Sequence, residues 1–349
     1  MTKAVDAQVL QVLLWYDQPE IILLKVSAVE YILAVSSALS VNDEQVFVGG
    51  GMTFSRIEEY QEGKFDLRYA LAHANLRRYY TFAFDGFQES VSLSKLVKSS
   101  DILAASLPET GFFSRDHHDI ELVQHRIPDA VEKFNVDGGW ELGEFSKFYS
   151  QVEDIYYMFN DIDLYDNPAT SLQTKATISK AFDRSWGGGG SYVAFYDKIA
   201  NDNDHVAPLR VSGIEYHSPG YVALRAKKKP FDSMIALLQA YAENGLETRK
   251  AFNALNRFMS FSGMLSSDAN SAALTPVAKE ELSKLANGLA TFLPGVSFMS
   301  LLQMASGDLI VASKVLKSIF KRVERLYAFF EQGRVAYEGL DTSPLVNED

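Results

Sequence analysis

Three side chains that could bind a divalent metal ion lie close together in the chain: His118, Glu121 and His125. In a helix, their spacings of three and four residues would place all of them on one face. Imidazole nitrogens and carboxylate oxygens are common ligands of zinc and related ions. The competing interpretation is a cluster of surface histidines, because Ile127-Pro128 follows at once and the apolar residues of the segment fit a strand equally well. Metal binding here would make the protein a metal-dependent hydrolase or nuclease.

A second group with possible chemistry is a row of basic side chains near the end of the chain. Its members are Lys314, Lys317, Lys321, Arg322 and Arg325. Four of them recur at spacings of three and four residues, so they form one stripe of a helix, with Arg322 beside it. The stripe is either a solvated helix face, a contact with an acidic part of the chain or of a second copy, or a contact with nucleic-acid phosphates.

Residues 137–166 are rich in both acidic and aromatic side chains, with eight of each and one lysine. Tyrosine and tryptophan form good contact surfaces when they are exposed, although most aromatic side chains belong to cores. We take Trp140, Tyr156 and Tyr157 as candidate contacts for a partner protein.

Composition and spacing exclude several other kinds of site. The chain has no cysteine, and therefore no disulfide, no thiolate metal ligand and no cysteine nucleophile. The glycine run 187–190 lacks the Lys-Ser or Lys-Thr of a phosphate-binding loop. His217 and Ser218 are adjacent at the end of a predicted strand, and adjacent side chains of extended backbone point to opposite faces. We assign no catalytic residue and expect no cofactor.

The elements that must position these groups change in type along the chain. Short runs of β-branched and aromatic residues predict strands at 9–16, 21–26, 31–35, 46–49, 79–84, 191–196, 209–216 and 221–226. Ser55 and Asp66 have the spacing of helix caps. After Lys227 the pattern becomes helical, with a break near Gly245 and a final helix over 309–332.

This pattern predicts an α+β protein, with a mainly antiparallel β-rich N-terminal region and a helical C-terminal domain. We expect an α+β domain over 1–226, open to subdivision near 130–170, and a helical domain over 227–335. Residues 336–349 should form an acidic, flexible tail.

The longest uncharged stretch, 285–307, contains Pro294-Gly295 and many polar residues, which favours a helical hairpin over a membrane span. The start of the chain lacks the pattern of a secretory signal. We expect a cytoplasmic protein that has no membrane partner.

Charge is distributed unevenly along the chain, whose net charge is −12. Residues 227–334 carry 14 basic and nine acidic side chains, whereas residues 1–226 carry 19 basic and 32 acidic ones. The overall acidity argues against nonspecific binding to nucleic acid, but a local basic face could still bind it.

Residues 13–70 resemble the start of an uncharacterised bacterial domain family of unknown function. The resemblance is carried by Trp15-Tyr16-Asp17-Gln18-Pro19, by 31–35, by Ser55-Arg56-Ile57 and by 63–68. These residues look like scaffold, and members of the family occur in bacteria without a known activity. The resemblance therefore implies a bacterial origin and no particular reaction.

The leading hypothesis is a cytoplasmic bacterial interaction or regulatory protein that acts through a protein partner or as a homo-oligomer. It depends on the opposite charges of the two regions and on the acidic aromatic segment. The metal-dependent hydrolase or nuclease is the alternative, and a nucleic-acid-associated accessory protein is the third.

Overall fold

The structure is a computed structural model that describes residues 5–41, 44–95, 105–117, 130–183, 192–202, 209–269, 271–338 and 340. The chain folds into two compact units, Met1–Ile127 and Pro128–Asp349. The predicted boundary near Lys227 is therefore wrong. Residues from both sides of it share one core, in which the ring of Phe134 packs 5.6 Å from that of Phe231 and 6.2 Å from that of Phe330.

The first unit is built on a closed barrel of six antiparallel strands that are neighbours in sequence order. The strands are β1 (Val5–Trp15), β2 (Pro19–Lys25), β3 (Tyr31–Val41), β4 (Glu44–Met52), β5 (Tyr79–Ala83) and β6 (Ser90–Lys95). Pairing of β1 with β6, which places Val5 opposite Leu93, closes the barrel. The predicted strands coincide with β1 to β5, and the α+β fold class is confirmed.

Strand β2 has an unbroken apolar run because both of its faces are buried. Ile22 and Leu24 join Phe47 in one core, while Ile21 and Leu23 join a second core that includes side chains of two helices. Successive side chains of a strand point to opposite faces. A strand between two cores must therefore be apolar at every position, because odd and even residues enter different cores.

The two helices of the first unit are α1 (Phe54–Gln61) and α2 (Leu67–Ala72). Asp66 caps α2 as predicted, because its carboxylate accepts a hydrogen bond from the Tyr69 N–H at 2.7 Å. Thr53, not Ser55, caps α1, where its hydroxyl oxygen accepts from the Arg56 N–H at 3.4 Å. The predicted start of α1 is therefore displaced.

The second unit contains a four-stranded antiparallel sheet in the order β10-β7-β9-β8. The strands are β7 (Ala130–Val136), β8 (Arg210–Glu215), β9 (Gly220–Ala226) and β10 (Val335–Tyr337). Helices connect β7 to β8 and β9 to β10, which is a split β-α-β arrangement. Strand β10 corrects the predicted tail, since Val335 pairs with Val136 and Tyr337 pairs with Phe134. Residues 339 and 341–349 lie outside the described residues.

The helices that the structure describes in this unit are α3 (Leu142–Asp166), α4 (Leu172–Lys180), α5 (Val193–Asp202), α6 (Lys228–Phe261), α7 (Pro276–Ala290), α8 (Phe298–Met304) and α9 (Leu309–Glu331). Among the described helices, none is both long enough and apolar enough to cross a membrane.

Helix α5 replaces the strand predicted at 191–196. Its buried residues Phe195, Tyr196 and Ile199 follow helical spacing, which the short apolar run did not reveal. The break in α6 lies at Asn244, whose φ of −126° departs from helical geometry. Asp308 caps α9 by accepting from the N–H groups of Ile310 and Val311 at 2.9 and 3.0 Å.

Candidate functional site

The basic row of α9 faces the interior of the second unit, which contradicts the prediction of a solvated stripe. Lys314 and Lys317 are each 1% exposed and Arg322 is 3% exposed. Lys321 is half-buried, and Arg325 is exposed. The side chains of residues 310–320 are all buried, so this part of α9 has no solvated face. Because Lys314, Lys317 and Arg322 are buried, the phosphates of a nucleic acid cannot contact them at the protein surface.

The buried cations of α9 are accommodated by different groups. The Lys314 ammonium donates to the Ser266 carbonyl oxygen at 2.7 Å. The Arg322 guanidinium donates to the Asp154 carboxylate at 2.6 Å and lies 3.4 Å from the centre of the Tyr196 ring. Burial raises the pKa of Asp154, although Arg322 acts in the opposite direction. This ion pair is a structural contact between α3 and α9, and it joins the basic row to the acidic segment 137–166, which was one of the three interpretations of the row.

Lys317 differs from its neighbours because its ammonium group contacts a ring and forms no hydrogen bond or ion pair with the described residues. The Lys317 nitrogen lies 5.9 Å from the centre of the Phe252 ring. Burial, together with repulsion from Lys314 and Lys321, lowers the pKa of Lys317 to about 8. Lys317 is therefore partly neutral near pH 8.

The three aromatic residues taken as candidate partner contacts are used inside the protein. Tyr156 is 0% exposed, and its hydroxyl oxygen accepts from the Lys227 N–H at 3.0 Å. Tyr157 is 5% exposed, and its hydroxyl oxygen accepts from the Leu209 N–H at 3.3 Å. Trp140 is half-buried and stacks on Phe329 at 5.3 Å. The prediction of a partner surface at these residues is wrong.

The predicted metal ligands His118, Glu121 and His125 lie outside the described residues. Their neighbour His117 is buried, and its Nε2 atom lies 2.6 Å from the Tyr60 hydroxyl oxygen. Within the part of the chain that the structure describes, no group of three histidine, aspartate or glutamate side chains could hold a metal ion.

His217 and Ser218 take different partners, as their adjacency on the chain predicts. The His217 Nε2 atom lies 2.8 Å from the Glu215 carboxylate, whereas the Ser218 hydroxyl donates to Asp137. These pairs contain no histidine positioned to activate the serine.

An exposed aromatic group lies on the first unit, at the turn from β1 to β2 and the connection from β5 to β6. We call Trp15, Tyr16 and Phe87 the turn aromatic cluster. Their exposed fractions are 42%, 69% and 87%. A single exposed aromatic side chain is common on protein surfaces, but a group of them on adjoining turns is typical of a binding surface, so the cluster is the candidate site.

Gly86 brings the two turns of the cluster together. Its φ of +95° lies in the region that favours glycine. A β-carbon added at Gly86 would lie 2.5 Å from the Trp15 ring, so only glycine lets the backbone approach the indole so closely. The Asp85 carboxylate fixes the same turn by accepting from the Phe87 N–H at 2.9 Å.

The charged residues of the two turns that carry the turn aromatic cluster are all acidic. Asp17 lies in the first turn, Glu20 begins the next strand, and Asp85 and Glu89 lie in the second connection. Neither 15–20 nor 84–89 contains a lysine or arginine. The local electrostatic potential therefore favours a cationic ligand over an anionic one.

The sequence at 15–19 predicts a scaffold turn, and no local pattern singles out Phe87. The signal that could have located the site was two turns that each carry aromatic and acidic side chains. Their closeness depends on barrel closure, which no local pattern reveals.

Comparison of the chain with protein-family models, with curated proteins and with solved structures gave no match. The resemblance of residues 13–70 to a bacterial domain family stays a prediction.

Proposed function

We propose that the protein is a protein-binding module whose turn aromatic cluster binds a segment rich in lysine and arginine on a partner protein. One observation carries the proposal: three strongly exposed aromatic side chains lie on adjoining turns whose charged residues are all acidic.

The aromatic rings would supply most of the binding free energy. Covering them removes apolar area from water, at roughly 25 cal/mol per Å². A lysine or arginine over an exposed ring adds about 0.5–1 kcal/mol by cation–π attraction. Each exposed ring can therefore attract a lysine or arginine in two ways, by covering its apolar carbons and by cation–π attraction to its charge.

The acidic residues would select the partner and orient it. Asp17 and Glu89 form no side-chain ion pair with described residues, so both carboxylates can attract a cation from solution. Such rim charges affect the association rate and specificity more than the affinity.

The experiment measures binding of a labelled peptide of alternating arginine and proline, about ten residues long, with a glutamate–proline peptide of equal length as the charge control. The test variant is Tyr16→Ser combined with Phe87→Ser. The matched control is Phe261→Ser, which removes a ring that is 91% exposed at the end of α6. We expect the test variant to weaken binding of the basic peptide about tenfold, since two cation–π contacts are lost.

Equal binding of the two peptides would contradict the proposal. So would equal weakening by Phe261→Ser, because general surface hydrophobicity would then explain the binding. Self-association that the Tyr16→Ser, Phe87→Ser variant abolishes would replace the basic partner with a second copy of the chain.

A further inference from the structure

The sheet of the second unit is covered by described helices on one face. Phe134 and Val136 of β7, with Val222 and Leu224 of β9, are buried in the core that the helices form. Phe134 contacts Phe148 of α3 and Phe330 of α9. The alternate residues of the same strands must point to the other face.

Exposure confirms that this other face is open to solvent. Val131 is 54% exposed, and Lys133, Asn135 and Arg225 are exposed as well. The register places Val131 opposite Arg225, and Arg225 opposite Arg210. We call Lys133, Arg210, Tyr221 and Arg225 the open sheet face.

Tyr221 is half-buried and lies near the start of β9, at one end of this face, and its ring extends over small residues. A β-carbon added at Gly213 would lie 3.7 Å from the Tyr221 ring, so the ring passes over bare backbone. Its neighbour Ala223 is also small. The Lys133 ammonium lies 3.9 Å from the ring centre, in cation–π distance. The sheet thus holds an aromatic ring with cations beside it.

Charge on the open sheet face is concentrated at one end. By sheet geometry, Arg225 lies about 5 Å from Arg210 across the strand pair and about 7–8 Å diagonally from Lys133. Glu215 lies at the other end, opposite Tyr221, and its carboxylate is in contact with His217. An anionic ligand would therefore bind toward the Arg225 end.

We propose that the open sheet face binds single-stranded nucleic acid. One base stacks on Tyr221, and the phosphates that follow it toward the other end of the face contact Lys133 and Arg225. The Lys133 ammonium moves from the ring to a phosphate, which exchanges a cation–π contact for a stronger ion pair. Stacking of unpaired bases on aromatic side chains of an antiparallel sheet is a general mode of single-strand recognition.

The shape of the face favours a single strand over a duplex or an acidic peptide. A duplex groove admits a helix or a two-stranded ribbon, and a four-stranded sheet is too wide to enter it. An extended peptide adds to the edge of a sheet, where backbone groups are unpaired, and does not lie across its face. A base has the flat surface that complements Tyr221.

The test measures fluorescence anisotropy of labelled oligouridylate and oligothymidylate, about ten nucleotides long, at about 50 and about 200 mM salt. Lys133→Ala combined with Arg225→Ala should weaken binding at least tenfold and reduce the salt slope by about 1.4, or roughly 0.7 for each lost phosphate contact. Tyr221→Ala should weaken binding about 5- to 100-fold and leave the salt slope unchanged.

Matched controls use side chains on exposed helix surfaces of the same unit. Lys250→Ala combined with Lys284→Ala removes the same charge from side chains that are 71% and 76% exposed, and Phe261→Ala removes a ring. Both controls should bind like the unchanged protein.

Four results would overturn the proposal. They are an absence of binding at the lower salt concentration, equal loss in the lysine control, displacement of the oligonucleotide by polyglutamate of equal length, and a duplex that binds as tightly as the single strand.

Discussion

At the scale of single residues, the second unit keeps several charged side chains in its interior. Arg322 has a carboxylate and a ring as neighbours, and Lys314 has a carbonyl oxygen. Lys317 has the Phe252 ring and two like charges nearby. Burying a charge with so little compensation costs stability, so Lys317 is the residue at which a neutral substitution should help.

We predict that Lys317→Met raises the free energy of unfolding at pH 7 by about 1–3 kcal/mol. The pKa of Lys317 is about 8 in the folded protein against 10.5 ordinarily, so between these values the unfolded chain binds the extra proton. Stability of the unchanged protein therefore rises with pH across this window, and the cost of the charge is fully present below it.

Denaturant unfolding at pH 7 and at about pH 10 checks this prediction, since the advantage of Lys317→Met should shrink at the higher pH. Lys284→Met, at a side chain that is 76% exposed, serves as the control and should have little effect at either pH. A lower stability of Lys317→Met at pH 7, or the same effect at both pH values, would contradict the expectation.

At the scale of elements, the turn between β5 and β6 depends on close contact with the end of β1. Gly86 makes that contact possible, because it combines a positive φ with a β-carbon position that the Trp15 ring would occupy. Gly111 has a similar φ of +90° but nothing within 4 Å of its β-carbon position. Substitution of either glycine would strain the backbone, but only substitution of Gly86 would also cause a collision with the Trp15 ring.

We predict that Gly86→Ala destabilises the protein by about 1–3 kcal/mol more than Gly111→Ala does. Both variants carry the strain of a positive φ, and only the first pushes the Trp15 ring aside. Thermal unfolding measures the difference, and the near-ultraviolet circular dichroism of tryptophan should change in Gly86→Ala alone. Equal destabilisation of the two variants would contradict the prediction, because the Trp15 ring would then move aside without a loss of stability.

At the scale of the whole molecule, the division of the chain at 127/128 determines which fragments can fold. The sheet of the second unit combines β7 at residue 130 with β10 at residue 337. A cut near 227 would separate β7, β8 and β9 from α6 to α9 and from β10, and would open the shared core.

We predict that residues 1–127 and 128–349 each fold when expressed alone, whereas 1–226 and 227–349 do not both fold. Cooperative thermal unfolding and resistance to proteolysis measure this. The physical reason is that the first pair keeps each core complete. If 1–226 and 227–349 both unfold cooperatively, the prediction is wrong and the domain boundary lies near Lys227.

The sequence by itself determined the local features of this protein. Short runs of β-branched and aromatic residues predicted the strands β1 to β5, and local spacing predicted the cap at Asp66. These features depend on residues within a few positions of one another, so a local pattern contains the information.

Only the tertiary structure decided which surfaces are exposed. The basic row of α9 has the spacing of a solvated stripe, but neighbouring helices surround residues 310–320 on every side. Gly86 and the Trp15 ring come together because the barrel closes, and the open sheet face exists because described helices cover the opposite face. Burial is set by elements far apart in the chain, so spacing within one helix or strand could not specify it.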